Sequence, residues 1–239
     1  STLMRSSAAS DVYKRQYEDN LKLAEEAYNN NYDKLMDLCK KLSFLRKKSA
    51  KNLEADITKA LLDLNFSQVK FEIRFTQTEH PSDNGFDEAE YLISLNPGED
   101  LKPLSKIASG GELSRIMLGL KSVLAGKDDI DTLIFDEIDT GISGRTAQKV
   151  SEKMALIAKK HQVICITHLP QIASMADTHF LIEKNVMDNT TRTTIHKLND
   201  EEIITELSRM LGGTEINGIV YDNAKEMKRQ ADELKKMSV

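Results

Sequence analysis

Two short apolar runs, at residues 132–135 and 163–166, constrain the fold of this 239-residue chain more than any other feature. Each run is typical of a strand in a parallel sheet that is covered on both faces. The segment between them, at residues 142–160, carries apolar side chains at helical spacing after Ser143. A strand, a helix and a second strand in this order predict a parallel α/β sheet.

Polar side chains follow both runs directly. Asp136 and Glu137 come after the first run, and Thr167 and His168 come after the second. Open α/β sheets bind ligands at the carboxyl ends of their strands. An aspartate there suits a Mg²⁺ ion that bridges nucleotide phosphates, and the adjacent Glu137 suits the polarisation of an attacking water. The alternatives are that the acids only begin a loop and that His168 is a hydrogen-bonded structural residue.

A turn at Ser109-Gly110-Gly111-Glu112 precedes a further stretch of helical periodicity. The spacing of the serine and the glutamate is that of a capping box, which is the purely structural alternative. That alternative leaves the glycines unexplained, because each costs roughly 0.5–1 kcal/mol in a helix relative to alanine. Backbone N–H groups at a helix start form an anion site. We therefore expect Ser109, Gly110 and Gly111 to contact a phosphate.

A heptad pattern runs through residues 17–45 and predicts a coiled coil of about four heptads. No other segment of the chain offers a matching seam, so we expect a partner helix from another chain or from a further part of the protein. The alternative is a long amphipathic helix that packs on its own domain. Residues 1–16 follow no periodic pattern and predict a disordered leader that need not be native. The seam consists of Tyr17, Leu21, Ala24, Tyr28, Asn31, Leu35, Leu38, Leu42 and Leu45.

The other periodic segments predict a strand pair before the turn, and a hairpin and two helices after the second apolar run. Pro81 and Asn84-Gly85 indicate a loop between the first two strands. In chain order the predictions are a strand at 69–75, a loop at 76–89, a strand at 91–95, a hairpin from 180–183 and 193–197, and helices at 201–211 and from 217.

Composition excludes some classes of function. The net charge of −5 gives no support for nucleic-acid binding by bulk charge, so such binding needs a local basic patch. The basic cluster at residues 40–51 is typical of a solvated helix face, with a phosphate-backbone contact as the weaker alternative. Cys39 and Cys165 fit reduced thiols in the cytosol. No apolar run reaches membrane-spanning length, and few aromatic residues argue against base stacking on single strands.

One expected motif is missing from the sequence. A nucleotide-hydrolysing site of this type needs a G-x-x-x-x-G-K-[ST] loop to cradle the β- and γ-phosphates. The glycine clusters at 110–111, 141–144 and 212–213 all lack the GK[ST] ending. The chain therefore encodes the metal-and-water half of a site without the phosphate cradle.

Three segments carry a resemblance to a known family. They are LSKIASGGELSRIMLGLK at 104–121, TLIFDEIDTGISGRTAQKV at 132–150 and VICITHLPQIASMADTHFLIEK at 163–184. Together they resemble the C-terminal half of bacterial RecN-type DNA repair proteins, which are SMC-like members of the ABC ATPase class. Transporter ATPases and chromosome-condensing SMC heads share the generic parts, whereas the combination of SGGELSRIM, FDEIDTGISG and ITHLPQIA is closer to the RecN family.

The resemblance implies a role for the glycine turn. Ser109, Gly110 and Gly111, with Glu112 beside them, match the ABC signature, which contacts the γ-phosphate of ATP held by the opposite head. The site would thus bind ATP and Mg²⁺ in a homodimer formed through the heads.

The resemblance also implies roles for four polar residues after the strands. Asp136 matches the Walker B aspartate, which binds the metal, and Glu137 matches the catalytic base. Asp139 lies in the D-loop, which crosses the dimer interface. His168 matches the switch histidine that senses the γ-phosphate.

The implied fold class is α/β, the C-terminal lobe of an ABC/SMC-type ATPase head with a P-loop NTPase fold that lacks its Walker A half. We expect a leader at 1–16, a coiled-coil arm at 17–60 and the lobe at 61–239. The N-terminal half of the same protein would supply the phosphate loop and the outgoing arm, and the fragment alone would be inactive. By resemblance, the protein acts on DNA in double-strand-break repair and recombination, in the cytoplasm at the nucleoid. The alternatives are another SMC-class head and a non-catalytic coiled-coil adaptor.

Overall fold

The computed structural model describes residues 2–125, 129–187, 190–213 and 217–237. The chain forms two compact units. The first comprises Ser1–Leu53 and Ile73–Tyr91, and the second comprises Glu54–Glu72 and Leu92–Val239.

Helix α1 runs without interruption over Thr2–Asp63. Residues 2–16 are therefore helical, where the sequence pattern predicted a disordered leader. The physical reason is that this stretch contains no glycine or proline, the residues that most disfavour a helix. Two residues after the end of the helix, Asn65 has a left-handed φ of 70°. The division at 16/17 and the native or non-native origin of the leader stay predictions.

Within the first unit, the predicted heptad seam is the exposed side of α1. Leu38, for example, is 63% exposed, while the next residue, Cys39, is buried. One residue along an α-helix is a rotation of about 100°, so the buried stripe lies beside the seam rather than on it. Ser43 and Ala50 continue the buried stripe. The seam is thus uncovered by the described residues of this unit.

The buried stripe of α1 is on the side where a β-hairpin packs against the helix. Strands β1 (Lys70–Ser82) and β2 (Gly85–Ser94) are longer than predicted and reduce the predicted loop at 76–89 to a tight turn. Gly85 has φ of 90°, which favours glycine in that turn. Ser43 Oγ donates a hydrogen bond of 2.9 Å to Asp87, and Arg46 donates one of 2.7 Å to the Asn84 carbonyl. Strand β3 (Lys102–Pro103) follows in the sheet order β1-β2-β3.

The second unit contains the predicted strand–helix–strand succession. Its elements are α2 (Gly110–Leu124), β4 (Thr132–Phe135), α3 (Gly144–Ile157) and β5 (Gln162–Cys165). β4 and β5 pair in parallel from Thr132↔Gln162 to Phe135↔Cys165. The parallel arrangement confirms the predicted α/β class. Fully buried side chains of this unit include Ile57, Leu61, Leu64, Ile116, Leu118, Ile138, Val150 and Ile157.

One face of the β4–β5 pair is bare, which differs from the prediction that both faces are covered. Leu133 and Phe135 are buried, whereas Ile134 between them is 68% exposed. Ile164 and Ile166 are exposed as well. Successive strand residues point to opposite faces, so Leu133 and Phe135 lie on a covered face, and nothing among the described residues covers the other.

The rest of the second unit confirms the predicted hairpin and helices. A short helix α4 (Pro170–Ala173) follows β5, and β6 (Phe180–Met187) pairs antiparallel with β7 (Thr190–Lys197). Helices α5 (Asp200–Gly212) and α6 (Gly218–Met237) complete the chain as described. Asn199 and Glu202 form a capping box at the start of α5. None of the described helices is both long and apolar enough to cross a membrane.

Candidate functional site

The N-terminus of α2 is capped by Ser109, whose backbone is extended at φ −92° and ψ 119°. Its hydroxyl oxygen accepts a hydrogen bond from the Glu112 N–H at 3.4 Å. This is the serine half of the capping box that the spacing allowed. Ser109 is half-buried and Gly110 is exposed, so the start of this helix is open to a ligand.

Both glycines lie against the loop after β4, and at Gly111 the close neighbours include backbone oxygens that cannot easily move. A Cβ on Gly110 would lie 2.7 Å from a carboxylate oxygen of Glu137, and one on Gly111 would lie 2.9 Å from Cβ of Thr140. Both distances are too short for a side chain, so the start of α2 lies directly against the loop after β4. The sequence analysis explained the glycines by a phosphate that contacts the backbone. In the structure, the loop after β4 lies beside them. The phosphate contact at these glycines stays a prediction.

Asp136 and Glu137 stand at the carboxyl end of β4, and both are exposed. Glu137 has φ of 56°, a left-handed conformation that is uncommon for a residue other than glycine. Such conformations cost about 1–3 kcal/mol and persist where neighbouring contacts hold them. One such contact is the hydroxyl of Ser114, which donates a 2.8 Å hydrogen bond to the Asp136 carbonyl.

Arg115 of α2 holds the next part of this loop. It is 7% exposed, and its guanidinium donates to the carbonyls of Ile138 at 3.4 Å and Thr140 at 2.8 Å. The guanidinium also lies 5.5 Å from the ring centre of Phe66. Burial lowers the pKa of Arg115, and the nearby Glu112 raises it. An arginine keeps its charge under such a shift, so this is a buried cation.

Sequence reasoning missed Arg115. A signal for it was present in the sequence, since the residue lies directly before Ile116 on the periodic apolar face of α2. A charged residue at the edge of a buried face is rarely left without partners.

Asp139 connects the loop after β4 with the end of β5. Its carboxylate is 4% exposed and accepts hydrogen bonds from the Thr167 hydroxyl at 2.6 Å and the His168 N–H at 2.8 Å. The imidazole Nδ1 of His168 lies 3.0 Å from the same oxygen. The resemblance implied a place at a dimer interface for this loop, and the structure shows that the Asp139 carboxylate is occupied within its own chain.

His168 is held and exposed at once. Asp139 binds its Nδ1, while 73% of the side chain is open to solvent. The purely structural alternative explains the hydrogen bond and leaves the exposure unexplained. A histidine whose one nitrogen is fixed by a carboxylate presents the other nitrogen in a defined direction.

Cys165 is the last residue of β5 and contributes no nucleophile. Burial raises the pKa of its thiol to about 12, and the charges of Asp139 and Asp136 add to the effect. The thiolate, which is the reactive form, is therefore scarce at neutral pH. Cys165 and Cys39 are both free, as the sequence predicted for reduced thiols.

The described residues contain no group of three or more acidic, histidine or cysteine side chains that suits a metal ion. Mg²⁺ commonly retains waters and takes one or two protein carboxylates while nucleotide phosphates supply other ligands, and the Mg²⁺ site expected at Asp136 stays a prediction. Asp136, exposed at the strand end, is the carboxylate that suits this role.

Comparison with known proteins identifies the family. No protein-family model matches the chain. It is 42% identical over 198 residues to the DNA repair protein RecN of Halalkalibacterium halodurans, a match that covers 81% of this chain and 35% of that protein. It is 41% identical over 209 residues to RecN of Bacillus subtilis, covering 81% and 36%. The chain is RecN-like.

The RecN-like chain spans about a third of the length of these relatives. RecN of Xylella fastidiosa aligns over 92% of this chain at 34% identity and 40% of its own length. The parallel pairing of β4 and β5 confirms the predicted α/β fold class. That this is the C-terminal lobe of an SMC-like ATPase head stays a prediction.

Two Smc head domains are among the solved structures to which the chain is similar. An Smc head domain with a coiled coil and joint from Pyrococcus yayanosii matches 70% of this chain and 30% of that chain, with a TM-score of 0.48 and 20% identity. An Smc head domain with an extended coiled coil from Pyrococcus furiosus, bound to the C-terminal domain of ScpA, matches 70% and 39%, with a TM-score of 0.45 and 21% identity.

The site of the RecN-like chain is thus a set of linked segments rather than separate motifs. The start of α2 lies on Glu137, and Asp139 ties the same loop to His168. Ser109 and Glu112 are engaged in the α2 cap instead.

Proposed function

We propose that this RecN-like chain is the C-terminal portion of an ATPase that binds ATP and Mg²⁺ between two heads and acts on DNA in double-strand-break repair and recombination. The observation that carries the proposal is the convergence at one edge of the β4–β5 pair. Asp136 and Glu137 are exposed there, and His168 is held beside them by Asp139. By the same family relationship, we place the protein in the cytoplasm at the nucleoid.

Two carboxylates divide the chemistry. Asp136 would hold Mg²⁺, which neutralises charge on the β- and γ-phosphates when bound. Glu137 would orient the attacking water and accept its proton. His168 would offer its free nitrogen to the γ-phosphate. Each role requires an exposed side chain at the strand end, and all three side chains are exposed.

The start of α2 would serve the opposite head. Its first N–H groups carry the positive end of the helix dipole, which favours a phosphate. Ser109, Gly110 and Gly111 would therefore contact the γ-phosphate of ATP bound to the partner head, with Glu112 in the same turn. Their place at an open helix start supports this role.

The missing half of the site would come from the N-terminal half of the same protein. This chain lacks a GK[ST] loop and spans about a third of its relatives. It also leaves apolar surface uncovered on the sheet, at Ile134, Ile164 and Ile166, and along the seam of α1. A Walker A lobe would cover the sheet face, and an outgoing arm would pair with the seam.

The test is co-expression of this chain with the N-terminal half of a RecN relative, followed by ATPase assays with and without linear DNA. We expect ATP turnover by the pair and negligible turnover by this chain alone. Glu137→Gln in the pair should lower kcat about 10²- to 10⁴-fold, the usual contribution of a general base. Glu88→Gln, an exposed change on β2, is the charge-matched control and should keep full activity.

Two results would contradict the proposal. One is turnover by the chain alone that Glu137→Gln abolishes. The other is a correctly assembled pair that binds no ATP.

A further inference from the structure

Arg115 fixes the backbone on both sides of Asp139. Its guanidinium donates to the carbonyls of Ile138 and Thr140, the two residues that flank the aspartate. The loop between these two bonds is a single residue long. The position of the Asp139 side chain is therefore set from α2.

The two carbonyls satisfy a cation that would otherwise be buried without partners. A buried cation is costly unless its donors are satisfied. A single guanidinium nitrogen of Arg115, Nη1, donates to both carbonyls. The Phe66 ring, 5.5 Å from the guanidinium carbon, favours the cation by its π face.

Asp139 in turn contacts two residues shortly after the end of β5, Thr167 and His168. Its buried carboxylate accepts from Thr167 and from the backbone of His168, and it binds Nδ1 of the imidazole. An imidazole nitrogen that donates to a carboxylate carries the proton of the neutral ring. The other nitrogen, Nε2, is then left as an acceptor on a side chain that is 73% exposed.

We propose that Arg115 is a positioning residue for His168: it holds Asp139 from both sides, and Asp139 in turn sets the tautomer and direction of the exposed imidazole. The same helix, α2, begins with the glycine turn. If the turn contacts a phosphate of the opposite head, as the proposed function has it, then Arg115 links that contact to the histidine of its own head. Only this last consequence rests on the proposed function.

The test uses the chain as it is and requires no nucleotide. In ¹⁵N-histidine NMR spectra we expect His168 to show the Nδ1–H tautomer. Arg115→Met keeps an apolar stem and removes both donors, so it should shift His168 toward the Nε2–H tautomer. The backbone N–H of His168, which donates to Asp139, should then exchange with solvent about tenfold faster, because Asp139 is less firmly positioned.

Hydrogen exchange at a second amide distinguishes a change in the position of His168 from a general loss of stability. The Ile166 N–H donates to the Phe135 carbonyl at 3.1 Å within the sheet, and its exchange should stay unchanged. Arg145→Met, an exposed change at the start of α3, is the matched control and should leave both amides and the tautomer as in the wild type. Arg115→Lys should restore wild-type behaviour at least in part, because it keeps the cation and more than one N–H donor.

Unchanged values at His168 in Arg115→Met would overturn the proposal, and so would a joint acceleration of Ile166 and His168. If Arg115→Met does not fold, Arg115→Gln carries the test, because its neutral side chain is shorter than that of arginine, and wild-type values at His168 in that variant would overturn the proposal. Neither outcome depends on ATP turnover. Failure of this inference is therefore distinguishable from failure of the proposed ATPase.

Discussion

The loop after β4 and the seam of α1 differ in whether their side chains find partners within the same chain. In the loop, Asp139 is buried and meets its donors within the same chain. Along the seam, large apolar side chains such as Leu38 are exposed. The difference indicates that contacts within the chain order the loop after β4, whereas the apolar side chains of the seam are left open, as the proposed pairing with an outgoing arm requires.

The largest effect should come from truncating a buried side chain beside the site. Ile138 is fully buried, so Ile138→Ala should lower the free energy of unfolding by about 2–5 kcal/mol. Leu38→Ala on the seam should change it by no more than about 0.5 kcal/mol, because the side chain is exposed in this chain. Urea unfolding followed by circular dichroism measures both. Equal decreases in the free energy of unfolding for the two variants would contradict the contrast between a loop packed within the chain and a seam left exposed.

An intermediate effect should separate the two aspartates of the loop. Asp139→Ala leaves the Thr167 hydroxyl and the His168 N–H without their acceptor, so it should cost about 1–3 kcal/mol. Asp136→Ala removes an exposed carboxylate and should stay within about 0.5 kcal/mol, while abolishing Mg²⁺-dependent turnover of the completed protein. A large loss of stability in Asp136→Ala would show that it, too, is structural.

The smallest effect concerns the Cys165 thiol and appears only at alkaline pH. The pKa of this thiol is raised by burial from 9.0 to about 12, so the unfolded chain loses the proton first. The contribution of the thiol to stability is therefore complete below pH 9 and is lost as the pH rises toward 12. Iodoacetamide should alkylate Cys165 more slowly in the folded chain than in urea at pH 8.5. A Cys39→Ser background removes the other thiol, and equal rates in the two states would refute the raised pKa.

Much of the architecture was predictable because it depends on local pattern. Short apolar runs with a helical segment between them predicted β4, α3 and β5, and the parallel pairing brings Asp136 and His168 to one edge. A polar residue directly after an apolar run marks the end of a strand, and this is visible in the sequence without knowledge of the packing. The same order placed the glycine turn at the start of α2.

The errors have a common cause, which is that exposure depends on neighbours. Ile134 looks the same in sequence whether a second layer covers it or not, and here it is bare. The loop predicted at residues 76–89 is mostly strand, because the hairpin is held against α1 by bonds such as that from Ser43 to Asp87. Residues 2–16 are helical because propensity extends a helix that the periodic pattern begins later.

The sequence alone determined the family likeness, the order of strands and helices, and which carboxylates and which histidine end up at strand ends, since each follows from residue type and spacing along the chain. Only the tertiary structure decided that Asp139 is buried between Thr167 and His168, that the glycines make room for Glu137 and Thr140, and that Arg115 holds the loop. Those facts join residues more than twenty positions apart, and hydrogen bonds over such distances arise from packing, which no local pattern encodes.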